Sequence, residues 1–134
     1  MLDASHSVDL DAARAAVKRL GSKLLCVIGS TPSYALGTID PIEELAAMAR
    51  TAGVGMHVDS CLGGFVVNYL DHVDPNWLAL DGVTSLSCDT HKNGWAPKGS
   101  SVLVTKKASH APRHTDTSHR HRHCDASDTS PTRH

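Results

Sequence analysis

Between Val8 and Leu20 the apolar residues Leu10, Ala13, Val17 and Leu20 recur in steps of three and four, separated by charged and small residues. That spacing lines one face of a helix. Asp9 or Ser7 can cap its start, and Gly21 stands just past its end. Lys23 to Ile28 is a short apolar run closed by Gly29-Ser30-Thr31-Pro32, which predicts a strand covered on both faces. Asp40-Pro41-Ile42-Glu43 reads as a second helix start, with Asp40 as the cap, Pro41 in the first turn and Glu43 reaching back to the cap amide. This helix ends before Gly53, and Val54 to Asp59 reads as the next strand.

Helix, strand, helix, strand in that order predicts a right-handed crossover and a parallel sheet with helices against it, an α/β fold. After Asp59, Gly63 and Gly64 permit close backbone approach, and Phe65 to Leu70 predicts a short buried helix or turn. Val83 to Cys88 and Ser101 to Thr105 read as two more strands. The loop between them is too short for a helical crossover, so they form an antiparallel pair with that loop at one end. From Ala108 to His134 the composition turns to His, Arg, Ser, Thr and Asp, too polar to offset the entropy of ordering, and disorder is expected.

The 134 residues allow one domain or part of one. A net charge of -1 gives no basic patch for nucleic acid or anionic lipid. No apolar run approaches the roughly 20 residues of a membrane span, and Met1 to Asp11 is acidic where a signal peptide is basic and then apolar. Cys26, Cys61, Cys88 and Cys124 show no Cys-x-x-Cys spacing, and three lie in or beside apolar segments, as reduced, buried cysteines do. A cytoplasmic setting and a small-molecule partner fit this picture best.

The candidate chemistry sits in Asp89-Thr90-His91-Lys92-Asn93-Gly94 and in His57-Val58-Asp59 upstream. A lysine amine condenses with an aldehyde, and a carboxylate beside a pyridine nitrogen keeps that nitrogen protonated. Asp59 ends a presumed parallel strand, where open α/β sheets bind ligands, although a bland cap role is equally available to it. Thr90 and His91 offer donors to a phosphate or simply satisfy their own loop.

Gly29-Ser30-Thr31-Pro32-Ser33-Tyr34-Ala35-Leu36-Gly37-Thr38-Ile39-Asp40-Pro41-Ile42, then His57-Val58-Asp59-Ser60-Cys61-Leu62-Gly63-Gly64-Phe65, then Asp89-Thr90-His91-Lys92 together resemble the sphingosine-1-phosphate lyase family of the group II pyridoxal-phosphate decarboxylase superfamily. The resemblance runs from about Val8 to Lys107. It implies part of the large domain of the fold type I, aspartate aminotransferase-like enzymes over residues 1–107, with a mainly parallel sheet, followed by a low-complexity tail at 108–134. It implies pyridoxal 5'-phosphate as cofactor, joined to Lys92, with Asp59 on the ring nitrogen and both catalytic. It places Thr90 and His91 near the cofactor phosphate, Thr31 toward the cofactor face and Lys98 in the phosphate-binding region. It further implies a homodimeric parent enzyme that cleaves a phosphorylated long-chain base into an aldehyde and phosphoethanolamine.

Ser60 stands where these lyases carry alanine, Asn93 where they carry tyrosine, and Trp95 where they carry another aromatic. The family's phosphate cup, its ring-stacking residue and its small domain have no counterpart in this chain. An amino-acid decarboxylase, or a silent piece of either enzyme, is therefore the alternative to a lyase. His119, His121, His123 and Cys124 offer imidazole and thiolate in the tail, but their spacing matches no structural zinc pattern and no metal site is expected.

Overall fold

Asp9 opens the first helix: its carboxylate accepts the amides of Asp11 and Ala12, both at 3.0 Å, and so satisfies donors that the first turn leaves free. Ser7 is not needed as a cap. The computed structural model describes residues 2–106. In it, α1 (Leu10–Leu20) is followed by β1 (Cys26–Ser30), α2 (Ile42–Ala52), β2 (Gly55–Asp59), β3 (Val83–Cys88) and β4 (Val102–Thr105). The strands form one sheet in the order β1-β2-β3-β4, with the first three parallel and β4 antiparallel to β3. This is the expected α/β architecture, including the antiparallel strand after the lysine loop.

Period-two alternation along β2 separates the two faces of the sheet. Met56 and Val58, both 0% exposed, pack with Ile42, Leu45, Ala46 and Ala49 of α2, an apolar stripe at i, i+3, i+4 and i+7. Val67, Trp77 and Val83 complete this core. Burial of side chains of this size stabilises by roughly 1.5–3 kcal/mol each, enough to fix which face of β2 turns inward. The opposite face carries two cross-strand rows: Ile28, His57, Ser85 and Thr105, then Ser30, Asp59, Ser87 and Leu103.

Four local expectations change. The first strand begins at Cys26 rather than Lys23, because Gly21–Lys23 forms a 3-10 turn closed by the Leu24 amide on the Gly21 carbonyl. It is covered on one face only among the described residues, with Ile28 59% exposed, since α1 packs on α2. Asp40 does not cap α2, whose N-cap is Pro41 without a side-chain bond. Its carboxylate instead accepts the amides of Ser30 at 2.8 Å and Val8 at 3.1 Å, tying the end of β1 to the chain before α1. Two open amides at one point outcompete a single helix-end donor.

The other two concern burial. Phe65 to Leu70 is a pair of 3-10 turns, Gly63–Phe65 and Val67–Tyr69, with Val67 buried and Phe65 and Tyr69 exposed. The cysteines are free as expected, but none of the three described is buried: Cys26 is exposed, and Cys61 and Cys88 are half-buried. Cys124 and the tail at 108–134, with its histidines, lie outside the described residues. No helix among the described residues is long and apolar enough to cross a membrane.

Candidate active site

The parallel strands β2 and β3 end side by side, with Asp59 paired to Ser87, so the segments leaving them meet at the carboxyl end of the sheet. Three backbone bonds fix how they meet. The Ser60 amide donates to the Ser87 carbonyl at 2.9 Å, the Asp89 amide to the Cys61 carbonyl at 3.1 Å, and the Thr31 amide to the Asp59 carbonyl at 2.9 Å. Gly63 and Gly64 make this closeness sterically feasible. A Cβ on Gly63 would collide with the Thr31 carbonyl oxygen, and one on Gly64 would lie 2.7 Å from Cys88 Sγ.

Asp59 Oδ1 accepts the Cys61 amide at 3.1 Å and, at a longer 3.4 Å, the Ser87 hydroxyl. Its Oδ2 has no partner among the described residues. Lys92 Nζ lies 2.9 Å from Asp89 Oδ2, and Asp89 in turn is tied to the Asp59 turn by its amide on the Cys61 carbonyl. Lys92 and Asp59 are thus joined through two intervening residues, Asp89 and Cys61.

Contact with Cys61 first, then the bond to Asp89, raises the Lys92 ammonium above its ordinary value of 10.5. The 2.6 Å bond from the Ser101 hydroxyl, then the bond from Lys92, holds the Asp89 carboxyl below its ordinary 3.8. Lys92 therefore rests as an ammonium and must lose a proton before it can act as a nucleophile. Cys88 is pushed the other way: burial, then the Asp89 charge, raises its thiol.

The signs fix a pH window for the Lys92–Asp89 pair. A carboxyl lowered by folding contributes above 3.8, and its contribution fades as pH falls through the folded value; an ammonium raised by folding contributes below 10.5 and fades as pH rises through the folded value. Asp89→Asn is therefore expected to lose about 1 kcal/mol of stability at pH 7, the upper end for a pair that solvent still reaches, and almost nothing near pH 2. Urea unfolding at both pH values measures this, and an equal loss at both contradicts the ion-pair assignment.

The remaining sequence-predicted residues are placed differently. Thr31 lies under the Asp59 turn at 0% exposure, and its Oγ1 is buried without a hydrogen-bond partner among the described residues. Such an orphaned hydroxyl costs about 1–3 kcal/mol, more than its neighbours recover for it here. Thr90 donates to the Ser100 carbonyl at 2.9 Å, and His91 Nδ1 lies 2.7 Å from the same oxygen and so carries the proton. His91 Nε2 lies 3.8 Å from Asp89 Oδ2. Lys98 is exposed beyond Pro97 and is not drawn into the cluster.

The structure adds Asp89, Ser101, Cys61, His57, Ser85 and Ser87 to the site. Two signals in the sequence point to the last three: His57 precedes Asp59 by two strand positions and so shares its face, and Ser85 and Ser87 alternate in the same way. Nothing local marks Ser101, twelve residues from Asp89. Asn93, in the tyrosine position of the resemblance, donates to the Leu62 carbonyl at 2.8 Å, while Trp95 is 95% exposed.

No family model matches the chain. It is 40% identical over 108 residues to mouse sphingosine-1-phosphate lyase 1, covering 77% of this chain and 18% of that one. To the Saccharomyces cerevisiae sphingosine-1-phosphate lyase it is 38% identical over 109 residues, covering 78% and 18%. The solved sphingosine-1-phosphate lyase of Burkholderia pseudomallei superposes with a TM-score of 0.71 at 43% identity, over 81% of this chain and 25% of that one. Mouse CSAD superposes at 0.66 and 20% identity over 81% and 23%, a likeness of fold alone. The chain spans about a fifth of the length of the curated relatives it matches. With identity near 40% to these lyases and a fold that superposes on one of them, the chain is a sphingosine-1-phosphate-lyase-like member of the group II pyridoxal-phosphate decarboxylase superfamily.

Proposed function

We propose that this chain carries the lysine-bearing part of a pyridoxal 5'-phosphate site in a carbon-carbon lyase that splits a phosphorylated long-chain base into an aldehyde and phosphoethanolamine. The observation that carries this reading is the joining of Lys92 to Asp59 through Asp89 and Cys61, with Asp59 Oδ2 left without a partner among the described residues. The residues present fit the cofactor: an amine for its aldehyde, a carboxylate oxygen for its ring nitrogen, and an orphaned buried hydroxyl at Thr31. When bound, pyridoxal phosphate supplies an aldehyde that takes up amines and a ring that accepts electrons from the bond being broken.

The chain's own residues divide the remaining work. Lys92 provides the amine, and Asp89 at 2.9 Å holds and orients its ammonium until that proton is given up to water. Asp59 holds the proton on the ring nitrogen. Thr90 and His91, now bonded to Ser100, would be the donors offered to the cofactor phosphate, and the exposed Lys98 would add a positive charge for it. The lyase is preferred to an amino-acid decarboxylase because relatives near 40% identity are lyases, whereas the decarboxylase likeness at 20% is one of fold. The proposal includes a large-domain piece ending near residue 107, a small-molecule substrate, a cytoplasmic setting and a homodimeric whole enzyme.

The test is covalent capture. The purified chain, given pyridoxal phosphate and then borohydride, is expected to carry the label on Lys92 by peptide mass analysis. Label on Lys18 or Lys23 instead, or none, overturns cofactor binding. For the substrate, carbon dioxide released from an amino acid, with no aldehyde formed from the phosphorylated base, overturns the lyase choice.

A further inference from the structure

On the uncovered face of the sheet, His57 has both ring nitrogens engaged by hydroxyls of the neighbouring strand. Nδ1 lies 2.8 Å from Ser85 Oγ and Nε2 lies 3.0 Å from Ser87 Oγ. Ser87 then reaches Asp59 Oδ1 at 3.4 Å. Donor and acceptor counting allows one direction of bonding in this chain. A carboxylate oxygen only accepts, so the single Ser87 proton points at Asp59, and Ser87 must accept from Nε2–H; Nδ1 of the neutral ring is then left to accept from the Ser85 hydroxyl. Every link points toward Asp59. No other charged side chain lies in either cross-strand row, and among the described residues only Ser85 and Ser87 hydrogen-bond the ring.

We propose that His57 is a positioning residue: acting through Ser87, it orients the Asp59 carboxylate so that Oδ2, the oxygen without a partner, faces the ring nitrogen of the cofactor. This rests on the cofactor site proposed above and goes beyond it, because neither His57 nor Ser87 touches the cofactor in that reading. The register supports the assignment. Pairing of His57 with Ser85 and of Asp59 with Ser87 sets one hydroxyl directly opposite the imidazole and the other two positions further along β3, opposite Asp59. The Cys61 amide and the Ser87 hydroxyl both reach Oδ1 of the carboxylate. Two donors on one oxygen hold the carboxylate plane, whereas one leaves it free to swing.

The test uses the full chain loaded with pyridoxal phosphate labelled with nitrogen-15 in the ring. The unaltered chain is expected to show a pyridinium signal. Ser87→Ala and His57→Phe are expected to move that signal toward neutral pyridine and to weaken cofactor binding about fivefold, the scale of one net hydrogen bond. Ser87→Thr, which keeps the hydroxyl, is expected to restore both. A purely structural role for this row would lower the melting temperature without moving the nitrogen signal. If both variants load at Lys92 and keep the pyridinium signal, or if Ser87→Thr restores nothing, the positioning role is wrong while the cofactor site stands. If the unaltered chain takes no label at Lys92, the cofactor site itself is wrong and the inference falls with it.

Discussion

Replacing Gly63 with alanine is expected to displace the turn after Asp59 and to cost about 3 kcal/mol or more, a large part of the 5–15 kcal/mol typical of a domain. The added methyl would overlap the Thr31 carbonyl oxygen and lie 2.9 Å from Pro32 Cδ. Neither neighbour has room to yield. Thr31 is fully buried, its carbonyl accepts the Ser60 hydroxyl at 3.1 Å, and its amide is bonded to the Asp59 carbonyl. Relief must come from the Ser60–Gly63 turn, which carries Cys61 and therefore both its amide bond to Asp59 and the carbonyl that holds the Asp89 amide of the lysine loop. Stability and covalent capture should fall together. Gly37→Ala is the control: it meets nothing within 4 Å and has a φ of 69°, so about 1–2 kcal/mol for the left-handed backbone is its whole cost. Equal urea midpoints for the two variants would remove the steric argument.

Asp59→Asn is expected to weaken cofactor binding about a hundredfold while leaving the melting temperature almost unchanged. The asparagine oxygen can still accept the Cys61 amide and the Ser87 hydroxyl, so the turn keeps its ties. What disappears is the negative charge opposite the ring nitrogen. A hydrogen bond to a charged group contributes about 1.5–3 kcal/mol, and its loss accounts for the predicted change in affinity. Absorbance titration with pyridoxal phosphate at fixed pH measures it. Affinity within a factor of two of the unaltered chain would mean that Asp59 serves only as a turn cap.

Much of the framework is legible in the order of residues. Leu10, Ala13, Val17 and Leu20 specify α1, and Gly21 and Gly53 mark where the two helices stop, because apolar period and backbone permissiveness act over neighbouring positions. The antiparallel pair around Lys92 follows from loop length alone. Asp40 shows the limit of such reading. Its sequence neighbours make it a helix cap, and the fold gives it two amides from β1 and from the segment before α1. The same limit applies at Ile28, where an apolar run implies two covered faces and α1 goes elsewhere.

By itself the sequence determined the α/β order, the strand that ends in Asp59 and the loop that presents Lys92. Tertiary structure alone decided that the Asp59 turn and the Lys92 loop meet where the Asp89 amide bonds the Cys61 carbonyl, that Ser101 reaches Asp89, and that Ser85 and Ser87 hold His57. The physical reason is range. Helix period, capping and turn chemistry depend on residues a few positions apart, whereas the bonds of His57 link β2 to β3 across 28 and 30 positions, and parallel register, set by burying Met56 and Val58 against α2, brings their partners within hydrogen-bonding distance.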